Sequence, residues 1–208
     1  MMEELIVQHC SPTMAGLKTG NLFSCQVKDK DALLSELRQV NKRFSSRGIR
    51  LIPMKYQEDR MLLYMYRPAK LKADLADETA KKILTAKSYP VSQSDRCVVH
   101  LIHCLNHETD FPHEIGLFLG YPPTDVDAFM KNGAAKAKYT GIWNVYDNVE
   151  AAKCQFARFK KCTRIYCEVF RKYHSFDRLI VGCSVASGRG EAPCTFSDKP
   201  KETLRIFF

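Results

Sequence analysis

The chain has 208 residues, 45% hydrophobic and 26% charged, which is the balance of a globular domain with enough length to bury a sizeable core. No apolar run approaches the roughly 18 residues of a membrane helix. Met1-Met2-Glu3-Glu4-Leu5-Ile6-Val7 lacks the basic start and long apolar stretch of a signal peptide, so a cytoplasmic protein is expected. A formal net charge of +9 points toward an anionic small molecule or an acidic partner.

Nine cysteines is an odd number, and none stands in a Cys-x-x-Cys pair. Without a secretory signal this argues against a disulfide framework, a zinc ribbon, a thioredoxin motif or a standard iron–sulfur run. The thiols read as reduced, small hydrophobes, a usage compatible with an anaerobic or strongly reducing cell.

Leu5-Ile6-Val7 reads as a short buried strand. It runs into His9-Cys10-Ser11-Pro12-Thr13 and then Gly16-Leu17-Lys18-Thr19-Gly20-Asn21. Small hydroxyl residues, glycines and one lysine after a strand suit an anion-binding turn, although the Walker spacing is absent. Leu33, Leu34, Leu37, Val40 and Phe44 recur at helical spacing across residues 31–47, with Gly48 placed as a C-terminal cap. Residues 49–56 and 61–66 read as a hairpin, and Pro53 puts its first strand at a sheet edge or bulge. Two short helices broken near Asp77 follow over residues 70–85.

From Ser94 to His107, the residues Cys97, His100, His103, Cys104 and His107 share one arc of a helix. That spacing is one a transition metal could use, but such a face is ordinarily a solvated one, and no metal site is assigned. The apolar run from Phe111 to Pro123 contains His113, Glu114, Gly116, Gly120 and Tyr121, with prolines at 112, 122 and 123. It is expected to form a strand or tight loop that presents His113 and Glu114 to a cavity. A short helix follows over 124–130, then an alternating strand over 141–146 holding Trp143, the only tryptophan. Residues 148–173 form the longest helical pattern, with Lys153, Lys160, Arg164 and Arg171 in a basic stripe. Residues 176–183 suggest one more strand, and 184–208 an irregular tail.

The expected architecture is therefore a single α+β domain over residues 1–183. Its mixed sheet contains the 49–67 hairpin and is flanked by helices near 31–47, 93–107 and 148–173.

Three stretches resemble a family of uncharacterised bacterial proteins, common among clostridia and related anaerobes and classed as a domain of unknown function. They are His9 to Phe23, Leu63-Tyr64-Met65-Tyr66-Arg67-Pro68 and, most distinctively, Phe111 to Val126. The likeness spans about residues 5–175 and implies a cytoplasmic single domain without an established activity.

These motifs carry the functional expectation, a small-molecule or anionic-ligand site. Cys10 would serve as nucleophile or soft ligand, with His113 as its base or co-ligand and Glu114 orienting it. Ser11, Thr13, Lys18, Asn21, Arg67 and Tyr121 would hold the ligand. Cys10, Lys18, His113 and Glu114 are expected to border one pocket. The sequence names no cofactor. The alternative is a non-enzymatic module whose basic 148–173 helix docks an acidic protein or nucleic acid. Nucleic acid is disfavoured because no recognised binding motif is present and the long helix's aromatics lie on its buried face.

Overall fold

A computed structural model describes residues 2–181. In chain order it comprises α1 (Met2–Met14), β1 (Gly20–Gln26), α2 (Lys30–Phe44), β2 (Arg50–Gln57) and β3 (Arg60–Tyr66). Four helices follow, α3 (Pro68–Asp74), α4 (Glu78–Ala86), α5 (Ser94–His107) and the single-turn α6 (Ile115–Phe118). The described chain closes with α7 (Pro123–Asn132), β4 (Tyr139–Thr140), β5 (Asn144–Val145) and α8 (Val149–Tyr173).

The main sheet has the order β1-β3-β2, and both pairings are antiparallel, so the α+β class expected holds with an antiparallel sheet in place of a mixed one. β3 lies in the middle and is apolar on both faces, as a central strand must be. Met61, Leu63 and Met65 point into one cluster with α1, α2 and the end of α8, while Leu62, Tyr64 and Tyr66 point into a second cluster with α3 to α7. Pro53 sits on the outer strand β2, and the register slips between Pro53 and Lys55. Ile52 and Met54 share the second cluster's face by ordinary strand alternation, Leu51 serves the first, and the bulge at Met54 shifts the alternation that follows.

Helix signals work where polar caps frame an apolar stripe. Asp29 caps α2 through Asp31 N and Ala32 N, and Asp77 caps α4 through Thr79 N and Ala80 N. The break at Asp77 is thus an N-cap. α2 ends at Phe44 and passes through a 3-10 turn to Gly48, whose φ of 73° needs a residue without Cβ.

Two expected strands are not strands. Leu5-Ile6-Val7 lies inside α1, where Ile6, Val7, Cys10 and Met14 line one buried face. The β-branched pair suggested a strand, but burial against α8 and the sheet favours the helical period. Phe176 to Val181 forms a 3-10 turn over Asp177–Leu179 followed by coil, with Val181 N bonded to Met14 O. Cys183, Cys194 and the 184–208 tail lie outside the described residues. The 141–146 strand shrinks to β5, paired with β4 in a two-stranded ribbon.

Candidate functional site

The 111–123 stretch is a turn and a one-turn helix instead of a strand. Ile115, Gly116, Leu117 and Phe118 are buried, His113 is exposed, and the chain bends at Gly120 (φ +73°) into α7. Between this bend, α7 and the β4–β5 ribbon lies an apolar cleft of ≈ 80 Å³. Gly116, Tyr121, Val126, Phe129 and Trp143 form its walls, and His113, Asp125 and Asn144 supply its polar atoms.

Asp125 holds this cleft in shape. Its carboxylate accepts from Trp143 Nε1 at 2.9 Å and from Tyr146 N at 2.8 Å, which ties the ribbon to the first turn of α7. Bonds to a carboxylate are about twice as strong as neutral ones, so this buried group is well used. The fixed indole stacks on Tyr121 at 5.0 Å and meets Phe156 edge-on at 4.4 Å. His113 rests against Phe129 at 5.1 Å and Phe111 at 5.9 Å, and its ring nitrogens make no hydrogen bond among the described residues.

The turn after Cys10 does not have the polarity the anion-binding expectation requires. Residues 2–14 are helical, so the turn follows a helix C-terminus, which presents carbonyls and the negative end of the dipole. It recruits a cation. Arg67, itself buried, donates from Nε to Thr13 O at 2.7 Å, and from an NH2 nitrogen to Met14 O and Val181 O, both at 2.7 Å. The other polar groups are committed internally: Ser11 Oγ bonds Val7 O, and Thr13 Oγ1 bonds Asn21 Oδ1 at 2.7 Å. Ser11, Thr13 and Arg67 therefore finish the end of α1, with Asn21 accepting through its carbonyl oxygen.

The expected Cys10–His113–Glu114 constellation does not assemble. Cys10 is fully buried on the α1 side of the sheet, and burial pushes its thiol far above the ordinary range, the opposite of an activated thiolate. His113 touches only Phe111 and Phe129. Glu114 is 2% exposed and accepts from the Tyr89 hydroxyl at 2.9 Å, which anchors the start of α6 to the loop before α5.

The 9–21 and 111–126 motifs do meet, through their other ends. Gly20 lies against Tyr64 and the Phe118 carbonyl, which accepts the Tyr64 hydroxyl at 2.5 Å; a Cβ on Gly20 would fall 2.4 Å from the tyrosine ring. A Cβ on Gly120 would come within 2.8 Å of Thr19 Oγ1, the hydroxyl that binds Asp74. Between these two contacts, Lys18 Nζ stands 5.1 Å from the centre of the Tyr121 ring. Lys18 and Tyr121 are therefore the expected ligand residues through which the two motifs touch. Burial lowers the Lys18 pKa to about 8, against a small opposing influence from Cys10.

On α5 the cysteines and histidines part company. Cys97 and Cys104 face the core, whereas the His103 and His107 rings meet at 4.6 Å, tilted by 39°, on the outer surface. Burial is the main cause of a Cys104 thiol raised to about 11. Among the described residues, no group of three potential ligands could hold a metal ion. Sequence reasoning missed Asp125, Phe129 and Asn144. Asp125 had the appearance of a routine acidic residue in a first helical turn, and only its burial distinguishes it.

Fold and cleft together define a three-stranded antiparallel α+β domain with an aromatic cleft on one flank of its second core. The chain belongs to the family described as Protein of unknown function (DUF3793), whose model matches residues 6–180. Neither the curated proteins nor the solved structures contain a match. Among the described residues no helix is long and apolar enough to cross a membrane.

Proposed function

We propose that this chain is a ligand-binding protein that takes a small, flat, largely apolar molecule into the Tyr121–Phe129–Trp143 cleft. The observation that carries this reading is convergence: the 113–129 segment and the β4–β5 ribbon surround an apolar hollow whose mouth holds uncommitted polar groups. The His113 nitrogens are free there, and Asn144 uses its carbonyl oxygen for Thr140 while its amide N–H groups have no partner among the described residues. An apolar frame with a few convergent polar groups is the usual form of a small-molecule site. A thiol-dependent reaction is not part of this reading, because Cys10 is sealed in the core on the α1 side.

Benzyl alcohol is a suitable neutral probe. Saturation-transfer NMR should show it bound to the full chain, with Trp143 emission changing in parallel, and Phe129→Ala should remove both signals. No transfer, or transfer that Phe129→Ala leaves untouched, would place any binding outside this cleft.

A second reading rests on α8, whose solvent face would dock an acidic protein. The helix carries seven basic and two acidic residues, and Arg158, Lys160, Lys161 and Arg164 are exposed and make no ion pair among the described residues. Lys153, by contrast, is neutralised by Glu150 at 2.9 Å. Unpaired charge of one sign on a rigid helix favours a complementary surface, and the association should weaken with salt.

A further inference from the structure

We propose that Asp125 is the countercharge for an ammonium group on the ligand of the cleft, so that the site takes small aromatic amines in their cationic form. The proposal rests on the cleft reading above and goes beyond it by naming the ligand class. Asp125 lines the cleft, is 5% exposed, and makes no ion pair among the described residues. Its two donors, the Trp143 indole N–H and the Tyr146 backbone N–H, are both neutral. They orient the carboxylate and occupy about half of its roughly four acceptor sites. A buried carboxylate held by neutral dipoles alone still lacks an opposite charge, and a cation in the cleft would supply one.

The surroundings select in the same direction. No described lysine or arginine lines the cleft. Lys18 stands across the Tyr121 ring, outside the lining, and makes no ion pair with Asp125. Tyr121, Phe129 and Trp143 supply aromatic wall, and ring faces carry the negative part of the quadrupole, which attracts cations and repels anions. One carboxylate in a hollow of ≈ 80 Å³ suits one ammonium on a single ring and not a long polyamine.

The charge of the whole molecule works against such a ligand. At a net +9, long-range attraction favours anions, so a preference for a cation has to come from the cleft itself. Specific and non-specific binding therefore predict opposite rankings.

The test is a charge series on the full chain, read by saturation-transfer NMR and Trp143 emission. Benzylamine, an ammonium ion at about pH 7, is compared with benzyl alcohol and benzoate, which share its ring and nearly its size. Benzylamine should bind at least about tenfold more tightly than the alcohol, as a hydrogen bond to a charged group requires, and benzoate more weakly than the alcohol. Asp125→Asn keeps one acceptor oxygen and removes the charge, so the amine's advantage over the alcohol, taken on the same variant, should disappear. Alcohol binding with an amine that binds no more tightly, or an amine preference that survives Asp125→Asn, would overturn the proposal and leave the cleft reading intact. Benzoate ranked first would overturn it too, and would show the overall charge choosing the ligand. If none of the three binds, the cleft reading fails and the proposal goes with it. The wild-type ranking decides the matter even if the variant folds poorly.

Discussion

Arg67 and Lys18 are two cations buried within a few residues of the same helix end, at 4% and 6% exposure, and they are treated oppositely. Arg67 meets three carbonyl oxygens at 2.7 Å, so its fork of donors replaces the water it lost. Lys18 Nζ meets a ring face, 5.1 Å from the centre of Tyr121. The first arrangement is complete without any other molecule. The second leaves an ammonium with no hydrogen-bond or ion-pair partner among the described residues, a difference that residue type alone does not reveal.

The comparison can be broken first at Arg67. Arg67→Met keeps the aliphatic stem but leaves the Thr13, Met14 and Val181 carbonyls without their donor. An unmet buried acceptor costs about 1–3 kcal/mol, so a loss of about 3–5 kcal/mol in a denaturant titration is expected. A variant as stable as the parent would mean that the carbonyls find water and that Arg67 is no clamp.

Lys18→Met should move stability the other way. Unfolded, the lysine keeps its proton to about pH 10.5; folded, it releases it near 8. Between those values the unfolded chain holds this proton more tightly, so the Lys18 contribution to stability should rise with pH across that window. The rise should be most visible between about pH 8 and 9, before the buried thiols act in the opposite sense. At about 1.4 kcal/mol per unit, the whole penalty is about 3 kcal/mol. The variant should be more stable at pH 7 by up to that amount and should lack the Lys18 rise. In both proteins the buried Cys104 and Cys162 thiols, each raised to about 11, make stability fall above about pH 9. A destabilised Lys18→Met would show that the ammonium is held by contacts beyond Tyr121 and Cys10.

The two cations also show what could be read from sequence. That the two distinctive, glycine-punctuated motifs meet was legible, and Lys18 and Tyr121 are a point where they touch. The polarity of the first motif was not legible, because Leu5-Ile6-Val7 satisfies strand and helix periods equally over three residues, and the distinction turns anion capture into a C-terminal cap. The hairpin, the α2 and α4 caps and the edge position of Pro53 were legible, since each depends on local chemistry. Which end of the 111–126 stretch meets the first motif was not. It depends on Gly20 and Gly120 letting backbone and ring approach, a tertiary contact that carries no local period.

The smallest stability effect is expected on α8, and it sharpens the contrast between buried and exposed charge. Lys153, Lys160, Arg164 and Arg171 all lie in the solvent-facing stripe, and among the described residues only Lys153 has an ion-pair partner. Exposed charges contribute little to stability, so the fourfold change to Glu should shift it by no more than about 1 kcal/mol. Its effect on association should be large, because the replacement turns a basic helix face acidic. The wild-type chain should be retained on immobilised polyglutamate at low ionic strength and released as salt shortens the screening length, whereas the variant should not be retained. If the variant unfolds, the stripe is part of the frame. If it folds and is still retained, the +9 chain binds acidic surfaces through its overall charge, and α8 is not the docking face.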